Sequence, residues 1–163
     1  MPPAETTASD PWARVRFLVG TWRGSSEGEP GRGTGERTYE FVLRDRFLQV
    51  RNKVVYPPQE KNAKGEIHED TGLFSIDRAR KTIVFREFHV EGFVNQYAQH
   101  DVTAEDLVFV TEAIENIPPG WHARLRLTVS GADEFSESFE LASPDGEFSP
   151  YSTSRWRRTV PNP

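Results

Sequence analysis

The sequence contains no cysteine. That absence removes disulfide staples, thiolate nucleophiles and zinc–thiolate sites together. It suits a reducing compartment, so a cytoplasmic protein is expected. Long hydrophobic runs are missing as well. No stretch approaches the roughly 18 apolar residues of a membrane span, and Met1 to Asp10 is polar and acidic, unlike a secretory signal. Positive charge is in deficit, with 20 Lys and Arg against 25 Asp and Glu and the two signs interspersed. Binding driven by phosphate neutralisation is therefore not expected, and nucleic acid is not a partner on this reading. Catalytic signatures are absent too: there is no P-loop, no G-x-G-x-x-G behind a strand, no G-x-S-x-G and no H-E-x-x-H. Adjacent carboxylates such as Glu69 and Asp70 alternate to opposite faces of a strand and make a poor acid–base pair. The four histidines, His68, His89, His100 and His122, never stand at i, i+2 on one strand, so no metal site is expected.

What is present is 163 residues, enough for one domain whose core needs no staples. Residues 1–9 read as a disordered leader and 10–163 as a single domain. Asp10 before Pro11 is a helix start, and Trp12, Val15, Phe17 and Leu18 give one short apolar helical face ended by Gly20. Beyond that point the period is two, broken by turn residues. Strands are expected at Thr21–Glu27, Glu36–Leu43, Phe47–Tyr56, Glu66–Ile76, Thr82–Val90, Gly92–His100, Leu107–Ile114, Trp121–Val129, Phe135–Leu141 and Pro150–Val160. A long antiparallel meander with one apolar face buries that face and loses its edges by closing on itself. The fold class is all-β, a single antiparallel up-and-down barrel of about ten strands with a short N-terminal helix.

The polar residues on otherwise apolar faces are the candidates for function, because an unpaired buried charge is costly. Glu137 shares a face with Phe135, Phe139 and Leu141. Arg86 stands among Val84, Phe88 and Val90, while Glu87 stands among Ile83 and Phe85, and one of those two faces must be inward. His68 shares parity with Asp70, Gly72, Phe74 and Ile76, which orients it inward. Phe93, Asn95, Tyr97 and Gln99 share another face, offering polar handles to a pocket. In the last strand Tyr151, Thr153, Arg155 and Arg157 fall together, opposite in parity to Phe148 and Trp156.

Certain segments resemble known families. Gly20-Thr21-Trp22 behind a short helix looks like the G-x-W opening of the calycin barrels, and Leu18-Val19-Gly20-Thr21-Trp22-Arg23-Gly24 resembles the L-x-G-T-W-x-G start of the nitrobindins. Ile67-His68-Glu69-Asp70-Thr71-Gly72-Leu73 resembles that family's M-H-x-E-x-G-Y strand. The resemblance implies a ten-stranded barrel like the fatty-acid-binding proteins, with Trp22 as a structural plug of the barrel floor. It also implies haem b, and with it peroxynitrite or nitric oxide chemistry. The family's axial histidine follows a proline, whereas here Pro150 is followed by Tyr151. If haem binds, Tyr151 or His68 is the iron ligand; a tyrosinate ligand usually has an arginine nearby to lower its pKa. Ser154-Arg155-Trp156-Arg157 resembles the closing T-R-x-Y strand of the fatty-acid-binding proteins, where an arginine and a tyrosine hold a lipid carboxylate. In lipocalins an arginine instead stacks on the G-x-W tryptophan, a role open here to Arg155 or Arg157.

Three readings follow. The first is a non-catalytic binding protein enclosing a small, mostly apolar and lipophilic ligand, carboxylate-bearing if arginine holds it, through His68, Arg86, Asn95, Tyr97, Glu137, Tyr151 and Arg155. The second is a nitrobindin-type haem protein, an enzyme only in that case. The third is a barrel filled by its own side chains and serving as an interaction module; eleven Phe and four Trp would fill much of it. Aromatic residues on an outer wall would also suit a homodimer.

Overall fold

In the computed structural model, which describes residues 9–100, 103 and 105–159, the chain is a closed antiparallel barrel of ten strands. They are β1 (Gly20–Gly28), β2 (Gly31–Val42), β3 (Phe47–Tyr56), β4 (Glu66–Asp77), β5 (Thr82–His89), β6 (Val94–Gln99), β7 (Asp106–Glu115), β8 (His122–Gly131), β9 (Glu134–Ala142) and β10 (Ser149–Arg158). Each strand pairs with its neighbours in sequence, and β1 with β10 closes the ring. The expected fold class is the one observed. The strand ends differ from the sequence reading by a few residues, most at β2, which begins five residues earlier because Gly31, Gly33 and Gly35 pair with β1 despite carrying no apolar signal. The expected leader falls on residues of which 1–8 lie outside the described ones, as does Val160. No helix among the described residues is long and apolar enough to cross a membrane.

The N-terminal helix shrinks to hydrogen-bonded turns and a single 3₁₀ turn, Arg16–Leu18. Asp10 Oδ1 accepts from the Trp12 amide at 3.1 Å, as an N-cap does. A segment this short gains little from helical hydrogen bonds. It is held by burying Trp12, Val15 and Leu18 in the barrel's end, with Trp12 edge-on to Phe41.

That end is packed solid. Trp22, Phe74, Phe85, Tyr97, Phe109, Phe135, Leu48, Leu107 and Leu127 interdigitate there, all buried. Trp22 donates from Nε1 to the Leu18 carbonyl at 2.7 Å and meets Phe135 edge-to-face at 4.7 Å. The arginine that stacks on it is Arg158, 4.3 Å from the ring, whose guanidinium also donates to the Phe17 and Val19 carbonyls. This corrects the expectation for Arg155 or Arg157, since both point outward from β10 and are exposed. Trp22, Arg158 and the N-terminal turn thus seal one end of the barrel.

Higher up, Trp156 lies flat along β1 and β2 where only glycine leaves room. A Cβ on Gly24 would sit 2.6 Å from the Trp156 ring, and one on Gly35 would sit 2.8 Å from it. Overpacking of this kind costs about 1–3 kcal/mol. Gly24→Ala is therefore expected to lower the unfolding free energy by that amount in urea denaturation, with an unchanged denaturant slope. A stability equal to wild type would show that Trp156 has an alternative seat.

Candidate functional site

Four strands carry one polar residue each at the same level of the barrel. Arg37 on β2 is directly opposite Asn52 on β3, Asn52 is opposite Asp70 on β4, and Asp70 is opposite His89 on β5. Side-chain bonds follow the register. Arg37 Nε donates to Asn52 Oδ1 at 3.0 Å, and Asn52 Nδ2 donates to Asp70 Oδ2 at 2.7 Å. Arg37 also reaches past β1 and β10 to Glu137 on β9, with Nη1–Oε2 at 2.6 Å and Nη2–Oε1 at 3.1 Å. Its guanidinium stacks on Trp156 at 4.1 Å and donates to the Tyr39 hydroxyl at 3.3 Å. Burial disfavours the charge on Arg37, but Glu137 and its other neighbours raise the pKa well above the ordinary value. Arginine stays charged, and Nε, Nη1 and Nη2 each donate within this belt.

Above this belt the barrel is hollow. A cavity of about 620 Å³ opens at the end opposite Trp22, with an apolar wall that includes Val54, Phe93, Ile114, Trp121, Leu125, Phe139 and Leu141. Its other wall is acidic: Glu66, Asp70, Glu87, Glu91 and Glu137 face it with Arg37, His68 and His89. The interior is filled below and open above, which answers the filled-barrel reading for its lower half alone.

The histidines meet across strands. His68 and His89 rings are 5.4 Å apart. His68 Nδ1 is 3.0 Å from Glu91 Oε1, and its Nε2 is 3.2 Å from Asp70 Oδ2. Partial burial opposes the charge on His68, but hydrogen bonds to Asp70 and Glu91 outweigh it and raise the pKa to about 9. His68 is therefore an imidazolium at neutral pH. Burial and the nearby Asp70 carboxylate push Glu87 up to about 7. Asp70 lies below its ordinary value: burial works against this, and His68, Arg37 and Asn52 outweigh it. The His89 ring is stacked on Phe93 at 4.0 Å. Two buried side-chain atoms have no hydrogen-bond partner among the described residues, His89 Nε2 and Asn95 Oδ1.

Of the residues singled out in the sequence, His68, Asn95, Glu137 and Tyr151 line the cavity. Tyr97 lies beneath it, fully buried, where its hydroxyl accepts from Asn95 Nδ2 at 2.9 Å. Arg86 and Arg155 are on the outside. Arg86 is exposed and reaches Ser75 at 3.4 Å, because β5 turns Ile83, Phe85, Glu87 and His89 inward. Arg155 is exposed because Trp156 takes the inward position. The register shift between Pro150 and Ser152 breaks the strict alternation and brings Tyr151, partly exposed, to the cavity mouth. Arg37, Asn52 and Asp70 were not singled out for function. Arg37 shares parity with Tyr39 and Phe41, the signal that marked Glu137, and Asn52 shares parity with Val50 and Val54. The histidine cluster had no such signal, since strand register created it.

The haem implied by the nitrobindin resemblance does not fit these residues. The Tyr151 phenol is pushed above its ordinary pKa by burial and by Glu66, Tyr56, Glu29 and Glu91, with no arginine acting to lower it. His68 has both ring nitrogens engaged with carboxylates and carries a proton, so it offers iron no lone pair. An acidic wall is also poor company for two propionates.

The fold and site define a closed ten-stranded barrel with one packed end and a ligand-sized cavity at the other. Among solved structures it is similar to Rv2717c from M. tuberculosis, with a TM-score of 0.68 and 16% identity over 93% of this chain and 99% of that one. It also resembles a redesigned β-barrel, mFAP0, bound to DFHBI, with a TM-score of 0.49 and 11% identity over 88% of this chain and all of the other. A de novo designed fluorescence-activating β-barrel gives a TM-score of 0.47 and 14% identity over 93% of this chain and 100% of that one. The first of these likenesses is one of fold. No protein-family model matches the sequence, and no curated protein does either.

Two outcomes follow from the charges. Glu137→Leu leaves Arg37 buried and unpaired and is expected to cost about 3–5 kcal/mol in urea unfolding, while Arg37→Met combined with Glu137→Leu recovers most of that loss. A single variant as stable as wild type would show that water reaches Arg37. Titration with ferric haem is expected to give no saturable one-to-one change in the Soret band. A sharp band abolished by Tyr151→Phe or His68→Ala would reverse the assignment.

Proposed function

We propose that this protein binds a small, mostly apolar molecule in the barrel cavity through a neutral hydrogen-bond-donating or cationic group, without catalysis. The observation that carries the reading is the asymmetry of the cavity: an aromatic and aliphatic wall faces a wall of acceptors, Asp70, Glu87, Glu91 and the unpartnered Asn95 Oδ1. Pockets of this size with an apolar lining and few placed polar groups are typical small-molecule sites. A carboxylate-bearing ligand is disfavoured, because Arg86 and Arg155 are outside and Arg37 is already paired with Glu137 and bonded to Asn52 and Tyr39. The nitrobindin resemblance is retained here as a proposal about descent, supported by the Gly20-Thr21-Trp22 start and the strand order. The cytoplasmic setting is likewise proposed, from the lack of cysteine alone.

The test keeps the chain constant and varies the head group. Decylamine, decanol and decanoate are titrated into EDTA-treated protein, with binding followed by calorimetry and by tryptophan fluorescence; Trp156 and the partly exposed Trp121 both line the cavity. Decylamine is expected to bind at least about tenfold more tightly than decanoate, a difference of about 1.4 kcal/mol. Glu87→Gln is expected to narrow that gap. Tighter binding of decanoate, or no binding of any of the three, would overturn the reading.

A further inference from the structure

We propose that Asp70, Glu87 and His89 form a non-haem site for a divalent first-row transition-metal ion at the floor of the cavity. The three side chains come from adjacent strands: Asp70 from β4, and Glu87 and His89 from β5. One ligand atom from each lies within 4.8 Å of those of the other two. Metal–ligand bonds of about 2.1 Å bring neighbouring ligand atoms to about 3 Å, so small side-chain rotations close the set.

The independent observation is His89 Nε2. The His89 side chain is 7% exposed, and this nitrogen lies 3.4 Å from Glu87 Oε2 without making a hydrogen bond. A buried ring nitrogen left unsatisfied is costly, and a metal ion is the partner that would satisfy it and the two carboxylates at once. Asp70 is also held as an outer-shell partner holds a metal ligand, and the His89 ring is fixed by packing. Asn52 Nδ2 donates to Asp70 Oδ2 at 2.7 Å, His68 Nε2 lies 3.2 Å from the same oxygen, and Phe93 packs flat against the His89 ring. One imidazole nitrogen and two carboxylates suit Zn²⁺, Co²⁺ or Mn²⁺ better than Ca²⁺ or Mg²⁺, which prefer oxygen alone. Three protein ligands leave coordination positions open toward the cavity, where water or a ligand atom would sit. The inference goes beyond the binding reading and does not depend on it, since the three residues need no organic ligand.

The experiment is a titration of untagged, EDTA-treated protein with Co²⁺, followed by its visible d–d absorption, with Zn²⁺ added to displace it. One saturable equivalent is expected, displaced by Zn²⁺. Glu87→Gln, which preserves shape, and His89→Ala are each expected to weaken binding by about 100-fold or more, beyond the usual loss of an outer-shell partner. His122→Ala, on an exposed residue of β8, is expected to change nothing. Circular dichroism confirms that each variant is folded. Three results would overturn the proposal: no saturable binding, binding unchanged in folded Glu87→Gln, or binding lost in Glu91→Gln while Glu87→Gln retains it, which would move the ion to the His68, His89 and Glu91 group.

Discussion

The Arg37–Glu137 pair divides this barrel into two. It joins residues 100 positions apart in the chain and spans the interior between β2 and β9. Charge of this kind inside a barrel tolerates neither water-free isolation nor displacement, because each ion loses hydration that only its partner and a few hydrogen bonds replace. Everything near it is arranged to that end. Trp156 covers the guanidinium from one side, Asn52 and Tyr39 accept from two more of its N–H groups, and Gly24 and Gly35 make room for Trp156. Below the pair the interior is aromatic and closed. Above it the barrel is hollow, with an aromatic and aliphatic wall facing a polar one.

Charge distribution then decides what the hollow half can hold. Arg37 is neutralised by Glu137, and His68 is flanked by Asp70 and Glu91. Glu87 lies 3.4 Å from His89, and its high pKa reflects burial beside Asp70. The result is an interior with spare acceptors and spare negative charge. A fatty-acid-type site needs the reverse, an uncommitted cation at the base of an apolar tunnel. A closed barrel therefore does not by itself set the chemistry of its interior, a distinction that fold alone never makes.

Charge also separates this chain from a haem barrel. An iron ligand must offer a lone pair at neutral pH. Hydrogen bonds to two carboxylates keep His68 protonated, and burial with acidic neighbours keeps the Tyr151 phenol in its neutral form. The Asp70, Glu87 and His89 group uses neither of those side chains, and places two carboxylates and an unpartnered ring nitrogen within 4.8 Å of one another.

The fold was legible in the sequence because strand alternation is a local property. Most of the strands announce themselves by period two, and turn residues mark where each ends, so a closed meander follows; β5, apolar on both faces, left its inward face open. Inward charge was legible for the same reason: Glu137 sits in an apolar row, and Arg37 carries the same signal beside Tyr39 and Phe41. What alternation cannot give is which residue stands opposite which. Register set Arg37, Asn52, Asp70 and His89 at one level, joined His68 to His89, and put Arg158 rather than its neighbours over Trp22. A bulge in β10, invisible to a two-residue period, moved Tyr151 to the mouth. The sequence by itself determined the barrel and its polar inventory. Only the tertiary structure decided their partners, because cross-strand neighbours are set by how a closed sheet shears around its axis, not by distance along the chain.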